Sequence, residues 1–188
     1  MTDARKFATE YRGKLAKALE GIEIAKVAEA IRWFDEAREK GRQIFVLGNG
    51  GSALTASHLA VDLLKGAGYG RAKRFRILAL TDSLGTITAY ANDVNYECVF
   101  AEQLKSLAQK GDLVVAISGS GNSPNVLAAI EYANSIGCRT ISFTGRDGGR
   151  LATLARLDLR VPNTHMGRIE DAHLLIVHMI AYYFMEEK

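Results

Sequence analysis

His58 and Asp62 stand four residues apart, a spacing that puts both on one face of a helix. An imidazole and a carboxylate so paired can hold a divalent ion or share the movement of a proton. Ordinary surface pairs have the same spacing, so this one gains meaning from what precedes it, Gly48-Asn49-Gly50-Gly51-Ser52. Three glycines let the backbone turn sharply and approach a ligand closely. Ser52 is placed to cap the helix that carries His58. Free N–H groups and a positive dipole end would then face the ligand, an arrangement suited to phosphate or a sugar phosphate. Ser118-Gly119-Ser120-Gly121-Asn122-Ser123-Pro124 repeats the design with three hydroxyls. Ser123 is a second cap candidate, and Pro124 suits a first helical position. A plain capping turn needs one serine; three, with two glycines, read as a phosphate loop. Thr144-Gly145-Arg146-Asp147-Gly148-Gly149 is a third glycine turn, read as structural.

The elements that must position these loops are legible from hydrophobic pattern. Apolar runs at 44–47, 77–80, 113–117, 140–143 and 157–161 predict five short strands. The first is apolar throughout, as in a strand buried on both faces of a parallel sheet. Helical patterns follow near 53–65, 84–91, 97–108, 124–136 and 149–155, and 166–187 closes the chain. The alternation predicts an α/β fold with a doubly wound, five-stranded, mostly parallel sheet. Such sheets bind ligands at the carboxyl ends of strands, where strand order switches, so one ligand could touch both Gly/Ser loops. Ahead of the sheet, Phe7, Tyr11, Leu15, Leu19 and Ile22 form one helical stripe. Ile24, Val27, Ala28, Ile31 and Phe34 form another. Gly21 separates the two helices and Gly41 ends the second. With no strand yet to cross, these helices are expected to pack on another subunit. No boundary divides residues 1–188, which read as one domain: helices over 1–40 and an α/β core over 41–188.

Composition narrows the function classes. Of the 188 residues, 48% are hydrophobic and 24% charged, as in ordinary globular proteins. The net charge of +3 is too slight to suggest a nucleic-acid partner. Lys65, Arg71, Lys73, Arg74 and Arg76 read as a solvated basic loop. No apolar run approaches the ~20 residues that span a membrane, and no signal peptide opens the chain. Cys98 and Cys138 lack metal or redox spacing, which points to a reducing cytoplasm. A P-loop is absent, and the dinucleotide fingerprint lacks its third glycine; Asp82, near the second strand end, has no fingerprint to accompany. No nucleotide cofactor is expected.

The two loops, together with His58, Ala91-Asn92-Asp93, Thr144-Gly145, Asp147-Gly148-Gly149 and Arg168-Ile169-Glu170 through His173 to His178, resemble the SIS (sugar isomerase) domain family. Within it, they look most like the sedoheptulose 7-phosphate (phosphoheptose) isomerases, and the resemblance spans nearly the whole chain. It implies a flavodoxin-like fold, a phosphosugar substrate interconverted between ketose and aldose, and a homotetramer with active sites between subunits. By motif position, Asn49, Gly50, Gly51, Asn92 and Asp93 would contact substrate. Ser118, Gly119, Ser120 and Ser123 would hold the phosphate, with Ser52 and Glu170 also at the substrate. In family members with metal, one zinc per site falls on positions matching His58, Asp62, Glu170 and His178. Two residues depart from the family, which usually has Glu at position 62 and Gln at 170. The resemblance also admits an isomerase of another phosphosugar, or a non-catalytic SIS-domain adaptor or sensor of the DnaA-binding type.

Enediol chemistry moves a proton between C1 and C2, which a carboxylate base and an imidazole can do. Asp62 is the candidate base and His178 its acid/base partner. Glu170 and His178 lie eight residues apart, ~12 Å along a helix and roughly 80° apart in projection, a stretched pair for one ion. His173 reads as a core or interface histidine, and His165 as an exposed loop residue.

Overall fold

The computed structural model describes residues 3–186. Two helices come first. In α1 (Ala4–Glu20) the Asp3 carboxylate caps the start, accepting the Arg5 N–H at 2.9 Å. In α2 (Ile24–Glu39) the buried face is Val27, Ala30, Phe34 and Ala37, whereas Ile24 and Ala28 of the expected stripe face outward. The alanines, not counted in that stripe, are what let the helix sit closely on the core.

The sheet comprises β1 (Gln43–Gly48), β2 (Arg76–Ala79), β3 (Leu113–Ser118), β4 (Arg139–Gly145) and β5 (Leu157–Val161), in spatial order β2-β1-β3-β4-β5. All four pairings are parallel. Each strand therefore needs a crossover, and the intervening helices supply it. Ile44 and Val46 point to one face, where they pack with α2, with α3 (Gly51–Val61) and with α8 (Met166–Glu186). Phe45 and Leu47 point to the other, shared with α5 (Ala101–Leu107), α6 (Pro124–Ser135) and α7 (Gly149–Leu154). On that second side α4 (Leu84–Asp93) buries no residue fully.

Two expected spans break. The second strand ends at Ala79, because Leu80–Asp82 tightens into a 3-10 turn. The helix expected over 97–108 splits into a 3-10 turn, Tyr96–Cys98, and α5. Asn95 causes the break by accepting the Cys98 N–H on its side chain at 2.9 Å, a local bond that competes with a continuous helix. Beyond α3 the chain widens into a π-turn, Asp62–Gly66, closed by the Ala67 N–H on the Asp62 carbonyl at 2.9 Å. Gly66 has no side chain there because Met185 of α8 occupies the space.

Candidate active site

The chain leaves β1 toward β2 on one side, while β3 leads to β4 on the other, so the loops after β1 and β3 diverge around a crevice. A cavity of about 260 Å³ lies between them, lined by Asn49, Gly50, Ser118 and Ser123 among others, and closed from α8 by Met166 and Glu170. The first loop turns at Gly50, whose φ of 53° and ψ of −122° suit glycine. Gly50 is therefore the cap residue and α3 starts at Gly51. Ser52 is not the cap: it is already helical and buried. Asn49 is held in a reciprocal amide pair with Asn125, at 2.9 Å each way, and its carbonyl oxygen also accepts the Tyr96 hydroxyl at 3.0 Å. This pair ties the first loop to the start of α6.

The second loop is hydroxyl-rich. Ser118 Oγ lies 3.2 Å from Ser123 Oγ and 3.5 Å from Ser120 Oγ, so the three can rotate their protons toward an anion. Ser123 precedes Pro124 at the start of α6 as expected, but its hydroxyl turns to Ser118 rather than capping. The third glycine turn backs this loop. A Cβ on Gly121 would collide with the Gly148 carbonyl, and Asn122 Oδ1 accepts the Arg150 N–H at 3.1 Å. Residues 148–150 of the turn thus support the phosphate-loop candidate from behind.

Where α3 passes into the π-turn, His58, Asp62 and His178 converge. His58 Nε2 is 3.3 Å from Asp62 Oδ2, His178 Nε2 is 4.0 Å from the same oxygen, and the two Nε2 atoms are 3.0 Å apart. Asp62 Oδ2 is buried without a hydrogen-bond partner. A buried anionic oxygen so left carries a desolvation cost that a cation or a substrate hydroxyl would relieve. Two imidazole nitrogens and this oxygen lie within 4.8 Å of one another, a donor set that could hold a metal ion. Glu170 stands outside that group. Its carboxylate covers Gly51, where a Cβ would meet Oε1 at 2.7 Å, and it lines the crevice instead. The two helical turns between Glu170 and His178 keep them on different ends of the site.

Other expected residues fall farther out. Asn92 and Asp93 end α4, exposed, with the Asn92 amide donating to Asp93 Oδ1 at 2.7 Å. Neither lines the crevice between the loops. His165 is exposed and packs its ring edge against Tyr11. His173 is buried; its Nε2 donates to the Thr144 carbonyl at 3.0 Å, and burial pushes its pKa down to about 4. Burial likewise pushes the Cys138 thiol up to about 11. In the basic loop Lys73 pairs with Glu39. Asn125 and Tyr96 were not foreseen. The signal for Asn125 is an amide directly after Pro124 at the start of an otherwise apolar helix face; Tyr96 offers none.

The SIS domain family profile matches residues 7–145. A probable phosphoheptose isomerase of Thermoplasma acidophilum is 40% identical over 178 residues, 95% of each chain. The phosphoheptose isomerase of Aliarcobacter butzleri is 40% identical over 90% of this chain and 89% of its own. The chain belongs to the SIS domain family, in its phosphoheptose isomerase branch. The structure of a phosphoheptose isomerase from Francisella tularensis superposes with a TM-score of 0.91 at 29% identity over the whole of both chains. The crevice and the His58–Asp62–His178 group of this SIS domain protein thus sit on a scaffold shared with that structure.

Proposed function

We propose that the protein is an aldose–ketose isomerase that interconverts sedoheptulose 7-phosphate and D-glycero-D-manno-heptose 7-phosphate. The observation that carries this reading is the separation of an anion crevice from an acid/base group. His58 follows Gly51 by seven residues, ~10 Å along α3, comparable with the reach of an extended seven-carbon sugar phosphate. The Ser118–Ser123 loop takes the phosphate; Asn49, Gly50, Gly51, Ser52 and Glu170 are the proposed sugar contacts in the crevice, and Asn92 and Asp93, outside it, are proposed to contact sugar at the site's outer edge. Asp62 takes a proton from C1 while His178 protonates the C2 oxygen, giving the enediol. Asp62 then returns a proton to C2 as the O1 proton passes to His178, leaving the aldose. His58, 3.0 Å from His178, orients that imidazole. Zinc would be the alternative occupant of the orphaned Asp62 oxygen with His58 and His178; bound in place of the His178 proton, it would polarise the carbonyl and offset enediolate charge.

The proposed assembly is a cytoplasmic homotetramer with the sites at subunit contacts. In support, Leu54 (74% exposed) and Leu84 (72% exposed) leave α3 and α4 with apolar faces uncovered. Light scattering of the purified protein tests the tetramer. The activity test is isomerisation of sedoheptulose 7-phosphate, with and without zinc, beside Asp62→Ala and His178→Ala. Turnover lost in both variants supports the reading; silence of the parent protein under all conditions, with phosphate still bound, defeats it.

A further inference from the structure

The crevice is built for a phosphate dianion, yet no lysine or arginine lines it, and its one ionisable carboxylate, Glu170, has the wrong sign. A second cavity of about 660 Å³ adjoins it, with Ser120 common to both. Its wall carries one cation, Arg146, and one carboxylate, Asp147, beside Asn122, Asn163 and Thr164. Arg146 has φ 53°, the single non-glycine residue with positive φ among the described residues. Bulky side chains avoid that region, and residues held there despite the strain concentrate at ligand-binding sites. The backbone is fixed in place, its N–H donating to the Asn163 carbonyl at 2.9 Å. Asp147 lines the same cavity but forms no ion pair with the guanidinium among the described residues; its Oδ1 accepts the Gly149 N–H at 3.1 Å. No partner of the Arg146 side chain is found among the described residues, and the residue is exposed. A long, charged, unengaged side chain is thus anchored by a strained backbone at the open rim of an otherwise uncharged phosphate loop.

We propose that Arg146 is the specificity-determining cation of the site, closing over Ser120 onto the outer oxygens of the substrate phosphate. The hydroxyl loop supplies shape, and the guanidinium supplies the charge that separates a phosphorylated sugar from a neutral one. The inference rests on the phosphosugar reading, so its test uses inorganic phosphate as well as turnover. Calorimetric titration of inorganic phosphate into the parent protein and into Arg146→Gly should show about tenfold weaker binding in the variant. The salt dependence of binding should also flatten. In turnover, KM should rise by a similar factor with far less change in kcat. Glycine accepts φ 53° without strain, so the melting temperature of Arg146→Gly should be no lower than the parent's. Arg146→Lys, which keeps charge but not the fork, should recover part of the affinity. Equal phosphate affinity in Arg146→Gly and the parent would overturn the proposal. So would weaker binding accompanied by a fall in melting temperature, because that marks a structural role. A parent protein that binds phosphate in an Arg146-dependent way without isomerising the sugar would defeat the isomerase reading and leave this one intact.

Discussion

The two ends of the site are made of different materials. At the phosphate end, glycine backbone and small hydroxyls converge from three turns, locked by the Asn49–Asn125 amide pair and the contact of Gly121 with Gly148. At the other end, three titratable side chains project from α3, the π-turn after it and α8, the two histidines each about four-tenths exposed. One end depends on where the backbone goes, the other on which protons are held. Mutations should therefore separate binding from turnover according to the end they touch.

The largest effect is expected at the acid/base end. Asp62→Asn or His178→Ala should lower kcat by roughly 10²–10⁴, while inorganic phosphate binds as before; parallel loss of phosphate affinity would show that the ends are not separable. Acid should next strain the phosphate end through His173, the buried imidazole beneath the third turn. Its pKa, about 4 in the fold, is 6.5 unperturbed. The unfolded chain therefore binds the extra proton between these values, so stability rises with pH across that window and is lost as pH falls from 6.5 toward 4. The full difference is about 3 kcal/mol. Denaturant titrations at pH 7 and pH 4.5 should show it, and His173→Leu should flatten the slope. Gly121→Ala, with φ +65° and the Gly148 carbonyl in the way, should cost about 1–3 kcal/mol and weaken phosphate binding, with the His58–Asp62–His178 group undisturbed. The smallest effect is expected from Ser123→Ala: a few-fold increase in KM at near-constant kcat, since removing one neutral hydrogen bond costs about 1 kcal/mol.

The strand–loop–helix alternation was legible because β1 and β3 carry uninterrupted apolar runs, while β4 and β5 alternate apolar with polar residues; β5 matches its expected span of 157–161 to the residue. Both Gly/Ser loops of the crevice were legible for a related reason: glycines and serines cluster where the apolar runs of β1 and β3 stop. The convergence of His58 and Asp62 followed from helical spacing, which reports one face of one element. What pairwise spacing cannot convey is the meeting of elements. The Asn49–Asn125 pair joins residues 76 apart, and the exclusion of Glu170 from the histidine group depends on where α8 crosses α3. The cap at Gly50 rather than Ser52 was hidden because serine is the better cap by preference; the required backbone angles, available to glycine alone, decided it.

The contact of Gly121 with Gly148 also bears on how this protein can change over generations. Gly121 cannot accept a side chain unless the Gly148 carbonyl retreats, nor Gly149 unless the backbone of Ser120 and Gly121 does, and Asn122 binds the same two turns a second time through the Arg150 N–H. The phosphate loop and the turn behind it are in effect one inherited part, although 27 residues of chain separate them. A library that randomises the two turns independently should yield few functional members, and survivors bearing a larger residue at 121 should carry compensating changes around 148. On the proposed reading, side chains on α3 and α8 can change one at a time, while the two interlocked turns must change together.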